Sequence, residues 1–287
     1  GYVRVSDGDD PQSVMVKIVS TIDSVEITLS RDAAGAFSSS FALALGAEGV
    51  PNDEVLQAVA GTELIAEYVD SKDSFGNEVT LTDKSFFGVT LVTGAISTNR
   101  TWNKSGSPYL VTGDVTVSNQ SVLTVDPGVE VRFMTPSDLS TGDDQSSGQD
   151  QNRSELRITD GSGLVAKGSA EEPIMFTSNA SSPKAGDWYG IYVNNSKKIE
   201  IDNISIKYSN QGFYLQNIKG NILDTVKVRN SSFSDLSGSA INNGRWQNFR
   251  VNFLFEGNTF EAVTDRLNFD DIDFTDGNQL QFINNDF

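Results

Sequence analysis

The stretch "VKVRNSSF", residues 226–233, returns 27 residues later as "FLFEGNTF" and after another 27 residues as "LQFINNDF". One step earlier the chain reads "IEIDNISI", residues 199–206. In each copy apolar residues occupy the first, third and eighth positions, and the first two of these share one face of a strand. A fixed period of this length is typical of stacked repeats. Since no helical pattern lies between the copies, we predict a β-solenoid whose strands stack ~4.8 Å apart.

The repeat aligns like residues in apolar columns and in one polar corner. Asn203, Asn230 and Asn284 share a register with Gly257, and these are the residue types that tolerate the left-handed conformation of a sharp turn. The pattern predicts a right-handed parallel β-helix with coils of about 27 residues, the alternative being a β-sandwich with a chance repeat. The predicted columns, of which the fourth is less regular, are Ile199, Val226, Phe253 and Leu280; Ile201, Val228, Phe255 and Phe282; Ile206, Phe233, Phe260 and Phe287; and Phe213, Ala240 and Leu267.

The composition excludes several classes of function. The chain has 287 residues, a net charge of −18, no Cys and no His. The negative charge repels phosphate backbones, so we expect no nucleic acid partner, but it attracts cations such as calcium. The missing residue types exclude disulfides, thiolate nucleophiles, His-dependent triads and the usual zinc sites. No apolar run approaches the ~18 residues of a membrane span, so none is predicted.

The chain divides into two regions of different pattern. Residues 1–92 contain six to eight short alternating segments separated by turn residues, which predicts an antiparallel β-sandwich. Residues 93–107 are rich in turn formers and are predicted to be a linker. The β-helix is assigned to residues 108–287, with a mobile loop at the polar stretch 135–155. A solenoid needs a polar cap and the last repeat has none, so we expect truncation of a longer protein or a covering partner.

Three stretches carry a resemblance to a known group of proteins. They are "SPYLVTGDVTVSNQSVLTVDPGVEVRF" (107–133), "EEPIMFTS" (171–178) and "GDWYGIYV" (186–193). They resemble the opening coils of right-handed β-helix regions in large bacterial exported and surface proteins, a broad group that includes pectate-lyase-like enzymes and adhesins. Residues 1–92 are similar to the immunoglobulin-like modules of such proteins. The resemblance implies a fold and an extracellular setting. It implies no particular activity, because one fold hosts many functions.

Two acidic loops of the first region are candidate calcium sites. Calcium binds six to eight oxygen ligands from a flexible loop, and clustered Asp with Gly and Asn can supply them. Neither loop has EF-hand spacing, and the alternative is a solvated acidic turn. The candidate ligands are Asp7, Asp9 and Asp10 in one loop and Asp70 and Asp73 in the other.

Aromatic residues on the β-helix are candidate sugar-binding residues. Alternate residues of "GDWYGIYV" must point outward, and exposed rings stack on sugar rings, although aromatic side chains also bury well in such cores. The candidates are Trp188, Tyr189, Tyr192, Tyr214 and Trp246.

An enzymatic alternative rests on charged residues of the outer face. A lyase without His would need Lys, Arg or Tyr as its base, and outward carboxylates could bind calcium. The same charges are also ordinary cross-strand pairs worth under ~1 kcal/mol each. The residues of this alternative are Lys207, Arg229, Asp271 and Asp273.

The leading interpretation is a non-catalytic module of a secreted or cell-surface bacterial protein. Each coil rests only on its neighbours, so a β-helix suits a stiff surface for adhesion, polysaccharide contact or matrix assembly. The expected partners are polysaccharides or cell-surface components, together with further domains of the same protein. The alternatives are a polysaccharide lyase or glycoside hydrolase, and a targeting or processing appendage of a larger secreted enzyme.

Overall fold

The computed structural model describes residues 1–8, 13–33, 35–46, 48–50, 53–73, 75–135, 150, 152–216, 225–243, 252–269 and 279–287. The chain forms two compact units, Gly1–Val89 and Thr90–Phe287. No helix within the described residues is long and apolar enough to cross a bilayer.

The first unit is built on one antiparallel sheet of six strands in the order β1-β4-β3-β2-β7-β8, accompanied by a parallel pair, β5 and β6. The alternation of β2 sets the core, because Val14, Val16 and Ile18 are buried while the residues between them are exposed. The strands are β1 (Tyr2–Val5), β2 (Ser13–Val19), β3 (Ser24–Arg31), β4 (Phe37–Ser40), β5 (Ala42–Leu45), β6 (Val55–Ala58), β7 (Glu63–Asp70) and β8 (Val79–Phe86).

The predicted immunoglobulin-like sandwich is not confirmed in this unit. Such a sandwich has two facing antiparallel sheets. Here β2 pairs with both β3 and β7 in a single antiparallel sheet, and β5 pairs with β6 in parallel. Alternation fixes which side of a strand is buried, but it does not fix which strands become neighbours.

The second unit is a parallel β-helix, as the repeat predicts. Its strand pairings are all parallel, and one sheet runs β10-β12-β15-β18-β21-β23-β25. The strands are β9 (Thr90–Ile96), β10 (Arg100–Trp102), β11 (Tyr109–Val117), β12 (Val122–Val125), β13 (Glu130–Phe133), β14 (Glu155–Ile158), β15 (Gly163–Lys167), β16 (Ile174–Ser178), β17 (Gly190–Asn194), β18 (Lys198–Asp202), β19 (Ile204–Lys207), β20 (Phe213–Gln216), β21 (Thr225–Arg229), β22 (Ser232–Asn243), β23 (Asn252–Glu256), β24 (Thr259–Asn268) and β25 (Leu280–Ile283), with a 3-10 helix at Lys104–Gly106.

The coils have three faces. The first face contains β13, β16 and β19, the second contains β14, β17 and β20, and the third is the seven-stranded sheet. The long strands β11, β22 and β24 turn the corner between the first two faces, so that β22 pairs with β19 through Phe233 and with β20 through Ile241.

The core consists of the predicted apolar columns. Val226 pairs with Phe253 and Phe253 pairs with Leu280, and each step is one 27-residue coil. On the first face Phe233 stacks on Phe260 with ring centroids 5.3 Å apart. This stacking and the strand register confirm the three regular columns, although their last members Phe282 and Phe287 are exposed.

The fourth column differs from its prediction at one position. Phe213 pairs with Ile241 rather than with Ala240, and Ile241 pairs with Leu267. The cause is a shift of register in β22 between Leu236 and Ser239, which inserts one residue before the second face is reached.

The predicted corner is confirmed. Asn203, Asn230 and Asn284 have φ values of 50°, 48° and 52°, and Gly257 has 66°. A Cβ at Gly257 would lie 2.8 Å from Oδ1 of Asn230, so glycine also removes a close contact in this stack.

The predicted linker at 93–107 is wrong. β9 pairs with β11 over Thr90–Ile96, and β10 pairs with β12, so the β-helix begins before residue 108. Trp102 is fully buried and stacks on Tyr109. The turn formers of this segment make corners of the first coil. Of the predicted loop 135–155, residues 136–149 and 151 lie outside the described residues, while Glu155 opens β14.

Candidate functional site

The second face carries a row of outward side chains that we call the outer row. Leu156, Ile191 and Phe213 point into the core, so the residues that follow them point outward. Strand register then aligns one residue from each of five successive coils, with neighbours ~4.8 Å apart. The outer row is Arg157, Tyr192, Tyr214, Asn242 and Asn268.

Tyr192 lies between two members of this row. The guanidinium of Arg157 lies 5.9 Å from the centroid of its ring. The ring of Tyr214 stacks on it at 5.9 Å and 19°. Its hydroxyl donates a hydrogen bond to Oε1 of Gln216. Tyr192 is fully buried although it lies outside the apolar core, whereas Tyr214 is half-buried and is the accessible ring of the row.

A buried carboxylate lies beside the first member of the row. Glu155 is fully buried, and its Oε1 is 3.6 Å from Nε of Arg157. Its backbone N–H donates to Oδ1 of Asp114, and its Oε2 accepts from the backbone N–H of Asp150. Asp150 in turn lies 3.4 Å from Nε of Arg153. Each guanidinium of this group therefore has a carboxylate within ion-pair distance.

The tyrosines near this carboxylate are held in the protonated form. Burial, and next the charge of Glu155, raises the pKa of Tyr189 far above its usual range. Burial raises the pKa of Tyr192 to about 12, although a hydrogen bond with Asn194 and the charge of Arg157 oppose the change. Burial also raises the pKa of Tyr214. At neutral pH these phenols donate hydrogen bonds and do not serve as bases.

The structure brings some of the predicted aromatic residues together and separates others. Tyr192 and Tyr214 share the outer row, and Tyr189 is nearly buried next to it. Trp188 is not accessible, because its ring stacks on Phe133 with centroids 3.8 Å apart and its Nε1 donates to the backbone oxygen of Lys207. The prediction of an exposed Trp188 is therefore corrected. Trp246 lies outside the described residues.

The two described residues of the enzymatic alternative lie on different faces. Lys207 lies on the first face and Arg229 on the third face. Nη2 of Arg229 is 2.8 Å from Oδ2 of Asp202 on the preceding coil, which is the ordinary cross-strand pair that the sequence offered as an alternative. Asp271 and Asp273 lie outside the described residues.

The predicted calcium ligands serve as turn residues where the structure describes them. Oδ1 of Asp70 accepts from a backbone N–H two residues ahead, and Oδ1 of Asp73 accepts from two backbone N–H groups. Asp7 accepts a hydrogen bond from the hydroxyl of Tyr68. Asp9 and Asp10 lie outside the described residues. Among the residues that are described, no three carboxylates are placed to hold a metal ion together.

Glu155 and Arg157 are the residues that sequence reasoning missed. In "ELRI" the apolar Leu156 and Ile158 point inward, so Glu155 and Arg157 are outward by strand period. The alternation indicates that Glu155 and Arg157 point outward. It does not show which residues of the next coil lie beside them. The pairing of Arg157 with Tyr192 depends on a register that the irregular upstream coils do not reveal.

The fold and the outer row define a parallel β-helix with a polar and aromatic face. Residues 94–205 match the family model described as a pectate-lyase-like beta-helix domain. The match includes the Glu155 and Arg157 strand and the two tyrosines of "GDWYGIYV". No curated protein and no solved structure gave a significant match to the chain.

Proposed function

We propose that the β-helix is a non-catalytic polysaccharide-binding module and that the outer row is its contact surface. The observation that carries the proposal is the register of Tyr214, Asn242 and Asn268, which places one ring and two amides on successive coils of one face. The family match supports a carbohydrate-related role for the same β-helix.

The chemistry of the row suits a chain of sugar rings. A sugar presents apolar C–H groups on its faces and hydroxyls on its edge, so it can stack on the half-buried ring of Tyr214 while its hydroxyls bond to amides. Asn and Gln side chains both donate and accept hydrogen bonds, as hydroxyls do. Because the coils repeat every ~4.8 Å, a linear polymer that runs along the β-helix axis meets an equivalent position on each coil.

A polysaccharide lyase or glycoside hydrolase is the second candidate, and the Glu155 group favours it. A carboxylate beside a guanidinium and phenols is a set of groups that acid–base catalysis uses. Glu155 is fully buried, however, and the phenols stay protonated at neutral pH. A general base must come within hydrogen-bond reach of the proton that it removes, and Glu155 presents no surface for that contact. We therefore favour binding without turnover.

The wider setting that we propose is a secreted or cell-surface bacterial protein with further domains. The resemblance of the β-helix segments supports this setting. Calcium bound to acidic loops of the first unit is part of the proposal, as a stabilising ion rather than a catalytic one. A targeting or processing appendage of a larger secreted enzyme is the remaining alternative for a chain that binds no polysaccharide.

The test is retention on polysaccharides combined with product analysis. The purified chain is incubated with neutral and acidic polymers, in calcium and separately in EDTA. We expect retention without shortened or unsaturated products, and release of products would replace the proposal with the enzymatic alternative. Retention in calcium that is lost in EDTA would show that binding requires calcium.

The contact surface is tested by substitution in the row. Tyr214→Ala should weaken retention about tenfold, because one aromatic stacking contact is worth ~0.5–1.5 kcal/mol and some packing is lost with it. Tyr2→Ala removes an exposed tyrosine of the first unit and is the matched control. Equal retention of both variants would exclude the outer row as the contact surface.

A further inference from the structure

The outer row has a charge environment that restricts what it can bind. Its members Tyr214, Asn242 and Asn268 are uncharged, and so are Asn194 and Gln216, which pair with each other on the same two coils as the tyrosines. Arg157 is the charged member, and its side chain is 18% exposed. The exposed surface of the row therefore offers hydrogen bonds and one ring, and its one charged side chain, Arg157, lies within ion-pair distance of Glu155.

Two of the described cations near the row lie within ion-pair distance of carboxylates. Arg157 has Glu155 at 3.6 Å and also covers the ring of Tyr192. Arg153 has Asp150 at 3.4 Å. A sugar carboxylate that approached either guanidinium would compete with a buried or half-buried carboxylate that holds its place through the backbone.

The charges of the described residues near the row add up to a slightly negative total. Asp114, Glu155 and Asp150 supply three carboxylates against the two guanidiniums of Arg153 and Arg157. On the last described coil, exposed Asp265 and Arg266 add one charge of each sign. The whole chain carries a net charge of −18, so the longer-range field adds repulsion for any anion.

We propose that the outer row selects uncharged polysaccharides and discriminates against polymers that carry uronate or sulfate groups. This inference rests on the proposed binding function of the same row. A neutral glycan is not repelled by this field, whereas each acid group of a charged polymer meets more carboxylates than guanidiniums among the described residues near the row. A bridging divalent ion would need several carboxylate ligands, and the described residues hold no such set. The family description refers to pectate, an acidic polymer, and the charges at this row do not favour one.

The experiment uses polymers that share a backbone and differ in charge. One pair is hydroxyethyl cellulose and carboxymethyl cellulose, and the other is fully methyl-esterified pectin and its de-esterified form. Affinity for each is measured by electrophoresis of the whole chain through gels that contain the polymer, in EDTA, at ~20 mM and ~500 mM salt. Salt matters because the Debye length falls from over 20 Å to about 4 Å across this range.

We expect the neutral member of at least one pair to bind, and the charged member to bind about tenfold more weakly at low salt, with the difference shrinking at high salt. Gln216→Lys introduces a cation next to the row in place of the side chain that accepts from Tyr192, so its effect is measured as the ratio of the two affinities, which should rise in favour of the charged member. Asn119→Lys, at an exposed corner that precedes the third face, is the control for added charge alone.

The outcomes separate the two proposals. Equal binding of both members, or preference for the acidic one, would overturn the selectivity and leave the binding function standing. Binding of neither member of either pair would overturn the binding function and the selectivity together. A Gln216→Lys variant that gains no more than the control would remove the outer row as the source of any observed selectivity.

Discussion

At the scale of single residues, two tyrosines of the same row have different roles because of what covers them. Tyr192 is fully buried between the guanidinium of Arg157 and the ring of Tyr214. Tyr214 has a ring on one side only and remains half-buried. Tyr192 therefore packs between its neighbours, while Tyr214 keeps the accessible ring on which the proposed binding surface depends.

The burial of Tyr192 predicts that its phenol ionises only at high pH. A phenol whose pKa is raised by folding stabilises the folded state fully below its unfolded value near 10. That contribution is lost as the pH rises through the folded value of about 12. In an ultraviolet titration of the folded chain, we expect Tyr192→Phe to lose the absorbance change of one phenol that ionises near pH 12. Tyr2→Phe should keep every absorbance change in that pH range. An unchanged late amplitude in Tyr192→Phe would mean that solvent reaches this phenol.

Trp188 is a second case in which position decides the role. The ring is fully buried on Phe133, so Trp188→Ala should lower the free energy of unfolding by ~3–5 kcal/mol, measured by urea denaturation. Trp188→Phe keeps most of the volume and should cost less. If Trp188→Ala folds with wild-type stability but loses polysaccharide retention, the side chain is a ligand contact and its burial is incorrect.

At the scale of elements, the corner between the third and first faces is held by a buried amide ladder. Asn258 is buried, and its Nδ2 donates to the backbone oxygen of Val228 and to Oδ1 of Asn285. Its Oδ1 accepts from the backbone N–H of Ser231. Asn258 occupies the repeat position that holds the buried Ile204 two coils earlier. Its amide bonds to the backbone groups of Ser231 and Val228, so the polar residue is tolerated in the interior.

The ladder predicts a large effect from a small substitution. Asn258→Ala leaves one backbone N–H and one backbone carbonyl of the previous coil without this partner, at ~1–3 kcal/mol for each buried group. We expect a loss of ~2–4 kcal/mol in urea unfolding. Asn268→Ala, at an exposed position, should change stability by less than about 0.5 kcal/mol. Equal effects of the two substitutions would show that the ladder is not a stabilising element.

The lengths of the coils decided how much of the structure was predictable from the sequence. The third face follows from sequence because its strands keep the 27-residue step from Glu200 to Lys227 to Leu254 to Gln281. The upstream steps differ, since Leu123 pairs with Leu164, 41 residues on, and Leu164 pairs with Ile199, 35 residues on. A periodic pattern cannot align coils of unequal length. The neighbours of Arg157 on the second face were therefore not predictable, and neither was the site that they form.

At the scale of the whole molecule, each coil rests on the coils beside it, so the position of the first coil decides which piece of chain folds. The sequence predicted that start at residue 108, because residues 93–107 are rich in turn formers. The structure places β9 and β10 in a coil that covers the next one, with Trp102 stacked on Tyr109. A local excess of turn residues cannot distinguish a linker from the corners of a coil.

The start of the β-helix predicts a difference between two fragments. Residues 90–287 keep β9, β10 and the buried Trp102, whereas residues 108–287 lose them and expose the paired edge of β11. Loss of the Trp102 contact alone should cost ~3–5 kcal/mol, in addition to the lost strand pairing. We expect the longer fragment to unfold in urea with the midpoint of the β-helix in the whole chain, and the shorter one at a clearly lower concentration. Equal midpoints would show that residues 90–107 add no stability to the β-helix. The boundary of the folded unit would then lie at residue 107, as the sequence predicted.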